Sequence, residues 1–428
     1  MLVHQVLKNE KGSAIVLVLI ITGVLTVLGA SLLHYSLTDN QQVINDEKRM
    51  QAYYLARSGA EAVADYIMKN PEEADNLLGK DAEDVKLDDE TEGTFDVEVT
   101  GTSEVPIIVS TGHVDGFERT VRLTLVPHSL GDYAVFCNSI IDIRGGAKIK
   151  GNVGTNATAE DSIKLSGNSS IDGNVQIGPG GDPETVVTDS SRITKEISQL
   201  DSEREYVVPE FPTFPDVTDL IDKGSLTVEN NADFTITEDG YYDEINIGNN
   251  GSLTINVGND NDIRKIRVGS FYSKGKIELH GTGKLVLYVD NSFTSDSVNE
   301  GGSVESLEVY YKGNDIHLTG GLFCGTIFSD SVSFKLSGNG TINGNIIAKG
   351  DSVVIDMTGN EQLKGALFAP EATIALGGNA ELNGLVVADT VVITGNYGLN
   401  YDDEIYFPYD DQDVCISFRK GLWSDKIN

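Results

Sequence analysis

Six carboxylates punctuate the glycine-rich end of this chain: Asp351, Asp356, Glu361, Glu371, Glu381 and Asp389. Two carboxylates converging on one glycosidic bond would supply an acid and a base or nucleophile, and a carboxylate beside Arg or Lys would suit a lyase. Here they fall at expected corners and outward positions without a recurring pair, so solvated turn residues account for them. The histidines, His4, His34, His113, His128, His280 and His317, form no cluster, and no GxSxG or HExxH motif occurs. The string GNDNDI, residues 258–263, has the acidic character of a repeat-type calcium loop but occurs once. Cys137, Cys324 and Cys415 are widely spaced, with no CxxC pair and no metal-ligand spacing. Cys137 and Cys324 lie in apolar strand-like runs and read as buried small hydrophobes, whereas a disulfide through Cys415 stays open. No catalytic residue, metal or cofactor is assigned, and the chain reads as a non-enzyme.

The elements around these residues point elsewhere. A basic leader, with Lys8 and Lys11, is followed by Gly12 and an uncharged run over 13–33. About 21 residues at ~1.5 Å each give about 31 Å of helix, the thickness of a bilayer's hydrocarbon core. A signal peptide would have a shorter core and a cleavage site after it. Instead, helix-compatible sequence continues to Pro71, with Met50, Tyr53, Tyr54, Ala60, Val63, Ala64 and Ile67 at helical spacing. Residues 13–70 therefore read as one helix, greasy in its first half and amphipathic in its second. Lys8 and Lys11 precede the span while Asp39, Asp46 and Glu47 follow it, which puts the N-terminus in the cytoplasm and the bulk outside. Thr22, Thr26 and Ala30, with Gly23 and Gly29 adjacent, would let another helix approach closely; ordinary small residues facing lipid are the alternative. A net charge of −35, from 31 basic and 66 acidic residues, opposes binding to a phosphate backbone, so no nucleic-acid partner is expected.

The strings KNEKG, SAIVLVLIITGVLTVLGASLL and QAYYLARSGAEAVADYI resemble the N-terminal region of PilX-type minor pilins and related pseudopilins. The resemblance covers about residues 8–67, and IVSTGHVDGFERTVRLTL is similar to the strand region that follows such helices. It implies cleavage by a prepilin peptidase after Gly12, methylation of Ser13 as the mature first residue, and other pilin-like subunits as partners. Most pilins place a glutamate five residues into the mature chain, where this sequence has Leu17. Some minor pseudopilins, such as the GspK type, also lack it, so the departure weakens a major-subunit reading more than a minor or tip one.

Beyond the helix, residues 71–93 are dense in Asp and Glu and read as a solvated connector. Three alternating segments, 94–100, 106–110 and 119–126, fit a small antiparallel sheet against the amphipathic half of the helix, closing a pilin-like unit at about 132. From 133 to 406 glycine and asparagine recur: Gly338, Gly359, Gly378 and Gly395 are 21, 19 and 17 residues apart, and Gly344, Gly365 and Gly384 keep step. Such periods predict a solenoid, a right-handed parallel β-helix, with Ile346, Leu367 and Val386 on equivalent inward positions. It starts near Val135, is interrupted by a proline-rich excursion at 179–223 with a helix-compatible piece over 190–204, and resumes around Gly224. The aromatic segment 407–428 reads as a cap over the last coil, with a ligand-binding aromatic platform as its rival.

The expectation is a mostly β, α+β chain: a membrane-spanning helix, a small antiparallel sheet, then a β-solenoid held outside the cell. The functional reading is a minor pilin-like subunit of a type IV pilus or related secretion filament, acting in assembly or in contact with a surface glycan or protein. A membrane-anchored carbohydrate-active or carbohydrate-binding β-helix is the alternative.

Overall fold

A computed structural model of the chain describes residues 11–88, 91–330, 333–350, 354–357, 359–360, 362–410, 414 and 417–426. The leader 1–10 with His4 and Lys8, together with Asp89, Glu90, Asp351, Glu361 and Cys415, lies outside the described residues. Two compact units divide the chain. One combines the residues up to Leu125 with those from Lys420 onward, and the other is Val126–Arg419.

Helix α1, Lys11–Lys69, runs without a break through 59 residues. Asn70 ends it just before Pro71, its side chain donating to the Tyr66 carbonyl at 2.9 Å. Ala52, Leu55, Ala56, Ala60, Ala64 and Ile67 are buried on one face. Their partner is an antiparallel sheet of β1 (Asp81–Val85), β2 (Thr94–Gly101), β3 (Pro106–Val114), β4 (Phe117–Pro127) and, beside β4, a strand from the far end of the chain, Phe418–Lys426. Burial alternates residue by residue along β3, as one packed face requires. Asp115 and Gly116, at φ 46° and 82°, form the tight turn into β4 that an Asp-Gly pair favours. Gly112 lets the sheet approach the helix, since a Cβ there would strike the Ala52 carbonyl oxygen.

The acidic stretch 71–93 is not a bare connector. It contains the short helical turns Pro71–Glu73 and Ala74–Leu77, and β1 pairs with β2 through Asp81↔Glu98 and Ala82↔Val97. An edge strand accommodates its charges because the backbone pairs on one side while the carboxylates face water.

The second unit is a parallel β-solenoid of about twelve turns. Ile346, Leu367 and Val386 are register partners and fully buried, as their spacing predicts. Gly325, Gly344, Gly365 and Gly384 form a ladder at φ 157°, 143°, 147° and 149°. A Cβ on any of the last three would collide with the carbonyl oxygen of the glycine one coil away. The period in the sequence is therefore the trace of a backbone column that tolerates no side chain.

Stacking order departs from chain order. Strand Glu381–Ile393 pairs in parallel with Val135–Ile143, placing Val386 beside Val135 and Ile393 beside Ile143. The coil built last is thus sealed by the coil built first, and the cap expected from 407–428 is not needed there. Of that segment's described residues, Phe407 lies on Phe368 and Tyr409 on Phe328 at ring separations of 5.4 and 6.3 Å, and Phe418–Lys426 pairs in the small sheet.

The interruption is shorter than 179–223. Ile163 bridges Val187, Ile171 bridges Ile193, and Ile197–Gln199 pairs with Val175–Ile177, so coils continue to Leu200. The piece at 190–204 is not a helix; it holds a single 3-10 turn, Ser190–Arg192, and a strand, because Leu200 is buried and Ile193 and Ile197 pack on the inward core. Only after Leu200 does the chain leave the stack, as a strap along one face. Arg267, Tyr288, Tyr310, Phe328, Ile347, Phe368, Val387 and Phe136 form one outward column through successive coils. Tyr206 sits on Phe136 at 5.1 Å, Phe211 on Phe328 at 5.3 Å, and Phe214 on Tyr288 at 4.9 Å. From the Phe136 coil to the Tyr288 coil is six steps of ~4.8 Å, about 29 Å. The eight residue steps from Tyr206 to Phe214 reach at most about 29 Å when fully extended. Pro209 and Pro212 stiffen the strap and keep it in an open, non-helical conformation.

Candidate functional site: a bare apolar helix and an exposed solenoid

The candidate processing residues Gly12 and Ser13 fall in the first turn of α1. From Ile15 onward the helix is long and apolar enough to cross a membrane, and its most apolar window has none of its residues buried. Ile15, Leu19, Leu25, Val27 and Leu33 are each more than 60 % exposed. The hydroxyls of Thr22 and Thr26 donate to the carbonyls of Val18 and Thr22, both at 2.7 Å, and Ser31 and Thr38 do likewise one turn back. This removes bare hydroxyls from an apolar surrounding without a partner helix. Thr22, Thr26 and Ala30 remain exposed, and the space around Gly23 and Gly29 is open.

Where α1 meets its sheet, charges take over. Lys48 pairs with Asp115, the Arg49 guanidinium lies 5.5 Å from the Phe117 ring, and Arg57 stacks 5.0 Å over Trp423. Lys420 pairs with Asp65 at 2.8 Å, so the return strand is fastened to α1 by a cation–π contact and an ion pair.

The described carboxylates of the coils serve their neighbours. Glu371 accepts from the Gly350 amide at 3.1 Å, Glu381 from the Asn400 amide group, and Asp389 from Ser139 at 2.7 Å and Thr390 at 3.0 Å. Asp356 has register partners Lys335 and Ala375 and one buried oxygen without a hydrogen bond. In the GNDNDI loop, Asp262 turns onto its own backbone and accepts from the Asn259 amide at 2.9 Å, which makes it a turn former. No group of three or more metal-type side chains occurs among the described residues. His113 pairs with Asp96 at 2.9 Å. Cys137 and Cys324 are free and buried; Cys137 lies in the core, where burial pushes its thiol up, while Cys324 sits beneath the corner loop 299–306 with its thiol on the Gly302 carbonyl.

Two clusters escaped the sequence reading. At the root of the solenoid, Arg204 donates to Asp132 at 2.8 Å and its guanidinium lies 4.4 Å from the Tyr133 ring. Burial alone would raise the Asp132 carboxyl, but His128 and Arg204 outweigh it and hold the group well below the usual range. Burial pushes the Tyr133 phenol up to about 12. His128 is 5 % exposed, 3.8 Å from Asp132, and neither ring nitrogen has a hydrogen-bond partner. The one available sequence signal was the capping box that begins at Ser129 and ends at Asp132. The second cluster is a cleft of about 730 Å³ between three consecutive corners, lined by residues of 258–263, 281–284 and 299–306 together with Tyr406. Its signal was the long third corner, NEGGSVES, where the preceding coils turn more tightly.

Fold and surfaces together define a β-solenoid protein with a long, exposed, apolar N-terminal helix and a small helix-on-sheet unit. Neither a family model nor a curated protein matches the chain. Among solved structures, it is similar to the competence-associated pilin ComZ from Thermus thermophilus, at 12 % identity and a TM-score of 0.25 over 89 % of this chain and 98 % of that one. It is also similar to an ice binding protein from an Antarctic biological consortium, at 12 % identity and a TM-score of 0.16 over 63 % of this chain and 91 % of that one. At such scores the functional reading rests on this chain's own residues.

Proposed function

We propose that the chain is a minor pilin-like subunit of a type IV pilus or related secretion filament, held by α1 and presenting its solenoid outside the cell. The observation that carries this reading is one unbroken helix with two lives: residues 15–47 are almost wholly exposed and apolar at their start, and 52–67 are packed on an antiparallel sheet. A detachable signal needs only the first part, and a plain anchor needs no sheet on the second. Under this reading the leader stays in the cytoplasm, a prepilin peptidase cuts between Gly12 and Ser13, and Ser13 becomes methylated. The freed helix packs among other pilin-like helices, for which the small residues Thr22, Thr26 and Ala30 leave room. A 294-residue unit, Val126–Arg419, is too bulky to repeat along a tightly packed rod and fits a filament tip. It acts there in assembly or surface contact rather than in catalysis.

Mass spectrometry of the protein purified from membranes tests the proposal. An N-terminal peptide beginning at methylated Ser13 is expected; an intact Met1 would leave only a membrane anchor. Gold labelling of the solenoid then separates tip from shaft, since uniform decoration along filaments would exclude the tip position.

A further inference from the structure

The cleft at the three corners is built by unequal turns. The first two corners are tight, with Gly258 at φ 79°, Asn261 at φ 69° and Gly281 at φ 118°, positions where glycine and asparagine accept a left-handed backbone. The third, 299–306, is longer and stands proud, so a step forms between consecutive coils. Leu279 and the half-exposed Ile263 give the cleft an apolar lining, and Tyr406 contributes an aromatic ring. Its polar groups include Asn261, Asp262, Thr282, Ser303 and Glu305, beside Asn299 and Ser306, which bond to each other at 3.1 Å. Asn261, Thr282 and Glu305 spend no side-chain hydrogen bond within the protein among the described residues, although donors and acceptors elsewhere on the coils are heavily used. Lys284, the cation of the cleft, is engaged by Glu308 at 2.9 Å.

We propose that this cleft binds an uncharged oligosaccharide, with a sugar ring against Tyr406 and its hydroxyls on Asn261, Thr282 and Glu305. A carboxylate accepts two vicinal hydroxyls and a primary amide both donates and accepts, which suits a polyol better than an apolar ligand. Asp262 and Glu305 outnumber the already paired Lys284, so an anionic glycan is repelled. The volume lies within the range of small-molecule sites and holds a few sugar units. Tyr406 stays a phenol in this setting, because burial and then the Glu305 and Glu308 charges raise its ionisation. The inference does not depend on how the chain is anchored or processed.

Saturation-transfer NMR and calorimetry on the full chain, in a detergent without a sugar headgroup, would use maltohexaose, cellohexaose and chitohexaose, with hexagalacturonate as the anionic control. At least one neutral glycan should bind, Tyr406→Ala should weaken it about tenfold, and Glu305→Gln and Asn261→Ala about fivefold each. Tyr406→Phe should retain most of the affinity, which separates a lost ring from a misfolded cleft. Silence from all three neutral glycans, equal binding of the anionic one, or affinity untouched by Tyr406→Ala and Glu305→Gln overturns the proposal. Failure to find a methylated Ser13 bears on filament assembly and leaves this result standing.

Discussion

Ser139 donates to Asp389 at 2.7 Å across 250 residues of sequence, and this bond marks the seam where the first coil closes on the last. The neighbouring pair Cys137 and Ala388 are register partners in parallel strands. In-register strands ~4.8 Å apart fall within the Cα range of a disulfide. Ala388→Cys should therefore form a disulfide with Cys137, visible as a faster band on a non-reducing gel and as a linked peptide pair. A solenoid stacked in simple chain order would keep the two thiols far apart and give no link.

The strap from Tyr206 to Phe214 spans the six steps between the Phe136 and Tyr288 coils at close to its fully extended length. Deleting Thr213 shortens it by ~3.4 Å and should pull Phe211 or Phe214 off its ring, costing about 2 kcal/mol or more. Inserting one glycine at the same place should cost well under 1 kcal/mol, because added loop length is entropically cheap. Denaturant titration compares the two variants, and equal midpoints would mean the strap is slack.

Gly365 occupies the middle of the glycine column, at φ 147° and against the Gly344 carbonyl. Gly365→Ala combines backbone strain with a collision and should cost about 3 kcal/mol. Gly301→Ala, at φ 77° with open space around it, should cost only about 1 kcal/mol. Thermal unfolding of the two variants gives the ranking, and a reversed order would remove the column from the list of features that fix the coil.

His128 is held below its usual 6.5 by burial first, with Arg204 and Arg419 adding to the effect and Asp132 opposing it. On acidification the unfolded chain takes up a proton before the native one does. Stability present above about pH 6.5 is therefore lost as pH falls toward the folded value. The Asp132 carboxyl, held below its usual 3.8, acts in a separate and more acid window. The melting temperature of the solenoid should drop between pH 7 and 5. His128→Phe should flatten this part of the profile, at some cost at pH 7 because the imidazole helps hold the Asp132 carboxyl ionised. An unchanged slope would assign the effect to other groups.

Much of the fold was legible because it repeats or is periodic. The glycine column shows through at intervals of 21 and 19 residues, and the α1 face in part: Ala60, Ala64 and Ile67 are buried as their spacing predicts, whereas Met50 and Tyr54 are exposed and Ala52, Leu55 and Ala56 take the buried places. The β3–β4 hairpin announced itself through Asp115-Gly116. What stayed hidden depends on partners far away in sequence. Nothing local to Val135 says that Val386 lies beside it, and nothing in 418–426 says that it pairs next to β4. Residues 190–204 have helix-compatible composition, yet the inward stripe of the stack captures Ile193 and Ile197, the outward aromatic column buries Leu200, and together they override that tendency. The cleft was hidden for a related reason: Asn261, Glu305 and Tyr406 belong to three separate stretches that only the stack brings together.

β4 and the strand Phe418–Lys426 are neighbours in one sheet, so the solenoid leaves and re-enters the small unit at adjacent points. A socket of this kind accepts an insert of any length without rethreading its host. Coils could be gained, lost or exchanged wholesale over evolutionary time, and the same stem would go on presenting a different emblem.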